Sequence, residues 1–264
     1  MMQTLAPPER RAALALVCLL YGPLASAAAA QEPSPWSATY AVERASVTIG
    51  NRDSSWNTDQ VLVTWIRPST AGWQGSIERY RRGDIVDVAV ASHGYKRAGD
   101  WTFGGGAAAS NAPHFIYRLL AETEVSRRIA GTFVGSLGYR FLSYTAANVH
   151  QLLPAVTWYH PRGEVSGRLF HTHNTTTATT TEAVLVRAIH DLTPRVRVSG
   201  GLSVGTRIFD VAALPSASGE SRVAFGLVRI GVTSRDYVEA GMTAARERPD
   251  FSYRSVLLTY RRVF

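Results

Sequence analysis

The segment from Arg195 to Arg207 alternates between apolar and polar or small side chains. One face carries Val196, Val198, Gly200, Leu202 and Val204, and the other carries Arg195, Arg197, Ser199, Gly201, Ser203, Gly205 and Arg207. Successive side chains of a strand point to opposite faces, so this pattern predicts a strand with one apolar and one polar face. Weaker forms of the same pattern recur in segments of about ten residues along most of the chain.

These segments number about fourteen, with roughly twelve as the nearest alternative, and short Gly, Pro or Asp turns alternate with longer loops between them. Beyond residue 30 the chain has no apolar run long enough for a membrane helix, so a crossing of the membrane needs strands. The sequence therefore predicts an all-β fold, an antiparallel up-and-down transmembrane β-barrel over residues 41–264.

The first thirty residues read as a secretory signal peptide that is removed after export. Arg10 and Arg11 precede an apolar run from Ala12 to Tyr21, and an alanine-rich stretch follows. Residues 31–40 are then a short lead-in to the barrel. Export and a strand-based membrane domain together predict a location in a bacterial outer membrane.

Aromatic residues flank the predicted turns and loops. Trp65, Trp73, Trp101, Trp158 and Tyr159 lie beside short turns, whereas Tyr80, Phe115, Tyr144 and Phe251 lie near the longer loops. Amphipathic rings favour the membrane–water interface. The pattern predicts two aromatic girdles on the barrel, in contact with outer-membrane lipids.

The composition narrows the range of functions. The formal net charge is +8, and nearly all of the positive charge is arginine, because Lys96 is the only lysine. The arginines are scattered along strands instead of clustered, and an exported protein rarely meets nucleic acid, so we expect no nucleic-acid partner. Cys18, the only cysteine, lies in the predicted signal peptide, which excludes disulfides, thiolate metal sites and a cysteine nucleophile from the exported chain.

Five arginines are candidates for the inner face of the barrel because each falls opposite an apolar face. Inside a lumen they would attract anions and repel cations. The alternative is that acidic side chains pair with them and brace a closed lumen, and the candidates for that role are Glu122, Glu124, Asp87, Glu182 and Glu239. The five predicted lumen-facing residues are Arg140, Arg195, Arg197, Arg207 and Arg222.

No residues form a recognisable catalytic, cofactor or metal site. Serines and histidines occur without a pattern that pairs a nucleophile with a base. His171 and His173 could bind a metal from one strand face, but no third ligand is near in sequence, so we interpret them as solvated rim residues. We therefore predict no catalytic residue, no cofactor and no metal.

The C-terminus carries a candidate assembly signal. Counting back by twos from Phe264 places Tyr260, Leu258 and Val256 on one strand face, with Arg262 as the one charged member. This face resembles the C-terminal signal by which outer-membrane barrels are recognised. The resemblance implies a partner, the outer-membrane barrel assembly machinery.

Three stretches together resemble the YaiO family of outer-membrane barrels. They are GGGAAASNAPHFIYRLLAETEVSRRI from Gly104, VGSLGYRFLSYTAANVHQLLPAVTWY from Val134 and the closing LLTYRRVF. The resemblance spans residues 36–264 and implies the location and the fold. It offers no catalytic residues to transfer, and barrels of similar build suggest a link to polysaccharide export.

The first functional hypothesis is a non-enzymatic outer-membrane barrel, either a passive anion-favouring channel or an accessory to polysaccharide export. A barrel enzyme acting on outer-membrane lipids is the second, and it needs a serine and a histidine adjacent across neighbouring strands. The third is a soluble periplasmic β-sandwich that binds a ligand. The substrate is not determined by the sequence.

Overall fold

The computed structural model describes residues 35–67, 70–111, 113–206, 220–247 and 250–264. The predicted signal peptide, residues 1–30, and the predicted lumen-facing Arg207 lie outside the described residues. Within the described ranges, no helix has the length and apolar character needed to cross a membrane.

The described residues form fourteen strands: β1 (Trp36–Ile49), β2 (Arg52–Arg67), β3 (Ala71–Arg82), β4 (Ile85–Ala98), β5 (Trp101–Ser110), β6 (Leu119–Ala130), β7 (Phe133–Ser143), β8 (Asn148–His160), β9 (Gly163–Asn174), β10 (Thr179–Thr193), β11 (Val196–Thr206), β12 (Glu220–Gly231), β13 (Asp236–Glu247) and β14 (Phe251–Val263). Each strand pairs antiparallel with its sequence neighbours, and β1 also pairs with β14, which closes the barrel. The predicted all-β up-and-down barrel is confirmed. The soluble β-sandwich is wrong, because all fourteen strands belong to one closed sheet.

The barrel wall begins earlier in the chain than predicted. Strand β1 starts at Trp36, so residues 36–40 of the predicted lead-in belong to the wall. Ser37 pairs with Val263 and Tyr40 pairs with Tyr260. Closure explains the difference, since the end of β14 would otherwise leave its backbone hydrogen-bonding groups unpaired at the membrane.

The two ends of the barrel differ. Both described termini lie at one end, where the Phe264 N–H donates to the Trp36 carbonyl at 3.1 Å. We call this the terminal end and the opposite one the distal end. The longest sequence intervals between successive strands separate β5 from β6 and β11 from β12, and the strand ends that flank these intervals lie at the distal end. In outer-membrane barrels the short turns face the periplasm, which assigns the terminal end to that side.

The outward face of the wall is apolar over much of its area. Ile77, Val90, Leu202 and Met242 are each more than half exposed. Soluble proteins rarely expose a contiguous apolar surface of this kind, whereas a membrane barrel presents it to lipid. The predicted assembly-signal residues share the outward face: Val256, Leu258, Tyr260 and Phe264.

Aromatic residues form one outward girdle. Trp36, Trp73, Trp101 and Trp158 are 41–45% exposed and lie near the terminal end. The second predicted girdle is wrong, because Tyr80, Phe115 and Phe251 are 1–6% exposed and pack in hydrophobic clusters inside the barrel. Alternation alone did not reveal which face of each distal segment turns inward.

One glycine of β9 is required by a close approach of the neighbouring strand. A Cβ on Gly163 would lie 1.9 Å from the Ile189 carbonyl oxygen, whereas a Cβ on Gly167 would meet nothing within 4 Å. We expect Gly163→Ala to destabilise the barrel by about 2 kcal/mol through overpacking against backbone, and Gly167→Ala to be neutral. Urea unfolding of the two variants, followed by heat-modifiable gel mobility, checks this, and equal midpoints would contradict it.

Candidate functional site in the barrel lumen

The inner wall towards the terminal end carries a series of paired charges. The Arg168–Glu124 pair joins β9 to β6, two strands separated by β7 and β8, so these side chains meet inside the barrel. Other pairs follow the inner face of the neighbouring strands up to β13, and Arg261 of β14 continues the same face. We call this set the charge belt, and its members are Glu122, Glu124, Arg140, Glu164, Arg168, Arg187, Asp191, Arg197, Arg229, Glu239 and Arg261.

The ion pairs of the belt are close and only partly buried. Arg197 makes two bonds to Asp191, from Nε to Oδ1 at 2.5 Å and from Nη2 to Oδ2 at 2.8 Å. Arg140 Nη2 lies 2.9 Å from Glu122 Oε2. Side-chain exposure across the five pairs runs from 12% to 38%, so water reaches the belt. Ion pairs that water reaches add little to the free energy of folding, so these pairs mainly fix the positions of the side chains.

Arg261 is the unmatched member of the belt. The belt has six arginines and five carboxylates, each carboxylate being paired with one of the other arginines. The Arg261 Nε is buried and has no hydrogen-bond partner among the described residues. The belt therefore carries an excess of one positive charge, supplied by the strand that closes the barrel.

Towards the distal end the inner face carries three tightly packed hydrophobic clusters. One cluster includes Val47, Trp56, Val223 and Tyr253, a second includes Tyr80, Leu120, Leu142 and Val149, and a third includes Leu153, Phe170 and Ala183. Each of these side chains is at most 7% exposed. The distal half of the lumen is thus filled along much of the wall, in contrast to the water-accessible belt.

A segment of the β5–β6 connection folds into the barrel and completes this packing. Phe115, Ile116 and Tyr117 are 2–3% exposed and lie in the cluster with Tyr80 and Leu120. We call residues 113–118 the inward segment. Strand β6 begins only at Leu119, so these residues are not part of the strand wall.

Asp87 of β4 anchors the inward segment. Its carboxylate accepts hydrogen bonds from the backbone N–H groups of His114, Phe115 and Ile116 at 2.9–3.2 Å. The His114 ring nitrogen Nδ1 lies 3.0 Å from Asp87 Oδ1. The Asp87 side chain is 1% exposed. A buried carboxylate that accepts several backbone N–H groups fixes a loop firmly, because each donor loses its partner if the loop leaves.

Arg82 links the inward segment to the neighbouring wall. Its guanidinium lies 4.0 Å from the Trp56 ring centroid and 4.2 Å from that of Phe115. Contacts of a cation with two aromatic faces stabilise a buried arginine. Arg82 therefore joins the cluster that contains Trp56 to the cluster that contains Phe115. Nearer the terminal end of β3, Glu78 accepts hydrogen bonds from Gln60 and Tyr80.

The five predicted lumen-facing arginines have different positions. Arg140 and Arg197 face inward and are paired in the belt. Arg195 lies exposed in the β10–β11 turn at the terminal rim, and Arg207 is outside the described residues. The predicted inward position of Arg222 is wrong, because this residue faces outward and pairs with Glu220. Both faces of β12 carry apolar residues, so alternation did not distinguish them.

Of the acidic residues predicted to pair with arginines inside the barrel, four face inward and one faces outward. Glu122, Glu124 and Glu239 pair with arginines in the belt, and Asp87 holds the inward segment. Glu182 faces outward and lies 3.0 Å from His171. The apolar run Phe115–Tyr117 next to a longer loop was the signal that could have identified the inward segment.

Histidines of the described chain contact partners other than serine. His150 lies 2.6 Å from the Tyr139 hydroxyl, His173 lies 3.1 Å from the Thr180 hydroxyl, and His160 stacks on His190. None of these contacts joins a histidine to a serine. In those ranges no group of three or more His, Cys, Asp or Glu side chains is arranged to hold a metal ion.

Comparisons with known proteins identify relatives of this architecture. The family model described as the YaiO membrane beta barrel domain matches residues 50–204. A search of curated proteins finds no match. The fold is similar to a monoaromatic hydrocarbon channel, CymD, with a TM-score of 0.63, 7% identity, and coverage of 89% of this chain and 90% of that one.

Two further solved structures share the fold. The translocator domain of the autotransporter NalP from Neisseria meningitidis has a TM-score of 0.52 and 9% identity, covering 89% of this chain and 90% of that one. An outer membrane channel from Pseudomonas putida F1 has a TM-score of 0.52 and 10% identity, covering 92% and 99%. At these identities the likeness concerns the barrel fold.

Proposed function

The chain belongs to the YaiO family of membrane β-barrel domains, and we propose that it is a non-enzymatic, anion-favouring outer-membrane channel whose distal half is closed at rest. The outer membrane is the setting of the barrels that share its fold. Export through a cleaved signal peptide and recognition of the C-terminal strand by the assembly machinery are part of the proposal.

The observation that carries the proposal is the unmatched Arg261 of the charge belt. Five arginines of the belt are neutralised by carboxylates, so the excess positive charge of the belt depends on the sixth. Arginine rings in a pore favour anions over cations. One excess charge supports a weak preference, smaller than five unpaired arginines would produce.

The packing of the distal half supports a small conductance. Anions that enter the water-accessible belt from the terminal end meet the inward segment and the hydrophobic clusters. Passage therefore requires displacement of residues 113–118, which Asp87 holds in place. A channel built in this way conducts little until the segment moves.

Single-channel recording tests this function. For protein purified from outer membranes into a planar bilayer, we expect small, infrequent openings whose reversal potential under a salt gradient favours anions. Arg261→Gln should remove the preference, because the belt then has equal numbers of arginines and carboxylates. The matched control is Arg222→Gln, which removes an outward-facing arginine and should leave the reversal potential unchanged.

Two results would argue against an anion channel. A cation-selective conductance would contradict the role assigned to Arg261. An absence of conductance in folded wild-type and Asp87→Ala protein would favour the other form of the hypothesis, a closed barrel that is an accessory to polysaccharide export. The ion-paired belt and the filled distal half are compatible with that structural role.

A further inference from the structure

The outward face of the barrel carries a broad groove across β10–β14 and β1. Its volume is about 990 Å³. Small residues form its floor, among them Ala188, Gly200, Ala224, Gly226 and Ala244. Larger apolar side chains border the floor: Val186, Leu202, Met242 and Val256. A groove of this composition at the lipid-facing wall fits hydrocarbon chains.

Arginines line the groove on the side of the distal end. Arg44 and Arg254 are part of the lining. Arg222 and Arg246 lie on the same outward face, two residues along β12 and β13 from Ala224 and Ala244 respectively. Four neighbouring strands, β12, β13, β14 and β1, therefore each place one arginine beside the groove.

Two of these four arginines have no acidic partner among the described residues. Arg44 pairs with Asp59, and Arg222 pairs with Glu220. Arg246 and Arg254 form no ion pair with any residue that the structure describes. Arg246 also lies directly opposite Arg222 across the β12–β13 pairing. Like charges opposite each other destabilise a sheet, so this arrangement favours an anionic ligand.

We propose that this groove binds a phosphate-bearing, multiply acylated glycolipid of the outer leaflet. The acyl chains lie over the small-residue floor, and phosphate groups accept hydrogen bonds from Arg246 and Arg254. Arginine suits this role, because its planar guanidinium can bind a phosphate through two hydrogen bonds. The site lies on the outer wall and is independent of the proposed channel in the lumen.

The breadth of the groove favours a glycolipid over a two-chain phospholipid. The lining spans six adjacent strands. At about 4.8 Å between strands this is about 24 Å, wider than two acyl chains side by side. Two unmatched arginines on adjacent strands also correspond to a head group with two phosphates. Since the distal end faces away from the periplasm, the ligand belongs to the outer leaflet.

Native mass spectrometry of delipidated barrel in detergent tests the proposal. The probes are hexa-acylated diphosphoryl lipid A, the same lipid without phosphates, and phosphatidylglycerol. We expect the wild-type barrel to retain the diphosphoryl lipid about tenfold more tightly than either of the others, given the strength of charge-assisted hydrogen bonds. This comparison needs no variant, so it stands even if a substitution impairs folding.

Variants of the arginines and of the small-residue floor test the two parts of the site separately. Arg246→Gln combined with Arg254→Gln should reduce binding of the diphosphoryl lipid about tenfold or more, whereas Arg81→Gln, on the outward face of β3, should not. Gly226→Leu places a side chain where a Cβ meets nothing within 4 Å, so it should fill the groove and weaken retention of both acylated glycolipids. Ala107→Leu is its control on the outward face of β5.

Three results would overturn the proposal. The first is equal binding of phosphatidylglycerol and the diphosphoryl lipid. The second is unchanged glycolipid binding in the double arginine variant with native gel mobility. The third is a lipid-independent dimer that Gly226→Leu abolishes, which would assign the groove to a second copy of the chain.

Discussion

Replacing Asp87 with alanine is expected to release the inward segment and increase single-channel conductance severalfold. The substitution removes the acceptor of three backbone N–H groups at a side chain that is 1% exposed. Loss of several charge-assisted hydrogen bonds at a buried site costs about 3 kcal/mol or more. The segment then has to be held by its remaining contacts, which are the packing of Phe115 and Ile116, the Arg82 contact with the Phe115 ring and the hydrogen bonds to the Tyr117 and Pro113 carbonyls.

Two measurements separate release of the segment from general unfolding. Hydrogen exchange of the Phe115 and Ile116 amides should become much faster, while exchange in the paired strands stays slow. The control is Asp84→Asn in the exposed β3–β4 turn, which should leave both exchange and conductance unchanged. Unaltered protection of the two amides in Asp87→Ala would show that another contact holds the segment.

Glu239→Gln should make the channel more anion-selective and less stable. Arg229 and Glu239 form the most enclosed pair of the charge belt, at 16% and 14% side-chain exposure. The substitution leaves Arg229 of β12 and Arg261 of β14, the strands on either side of β13, without a carboxylate between them. Because breaking one partner of an enclosed pair leaves a charge uncompensated, we expect a loss of about 2 kcal/mol in unfolding free energy.

Reversal potentials and urea midpoints of the same preparation check both effects. Glu220→Gln provides the matched control, because its partner Arg222 is outward-facing and 70% exposed. That variant should keep the wild-type selectivity and unfold at the same urea concentration. A shift towards cations in Glu239→Gln, or an equal shift in both variants, would refute the electrostatic role of the belt.

The barrel could be predicted because its signal is repeated in almost every segment. The alternation in β11 correctly divides Val198, Leu202 and Val204 from Arg197 and Ser203. Small errors in any one strand did not change the total number of strands. The start of β1 was missed because residues 36–40 are assigned to the wall by pairing with β14, a contact distant in sequence.

The candidate site could be predicted only in part. Arg140 and Arg197 were identified from one-strand alternation, and their acidic partners were named as an alternative. Arg222 was misplaced because Val223, Phe225 and Leu227 on one face of β12 oppose Val228 and Ile230 on the other. Apolar residues serve both the lipid-facing wall and the distal core, so hydrophobicity does not identify the inner face of such a strand.

The amino-acid sequence by itself determined the class of the protein, the approximate number of strands and the outward face of the C-terminal strand. These properties follow from a local, period-two pattern that each segment carries alone. Only the tertiary structure decided which arginines are neutralised, that Asp87 holds residues 113–118 inside the barrel, and that six strands form the outward groove. The reason is that those features depend on register and closure, which bring together side chains from strands far apart in the chain.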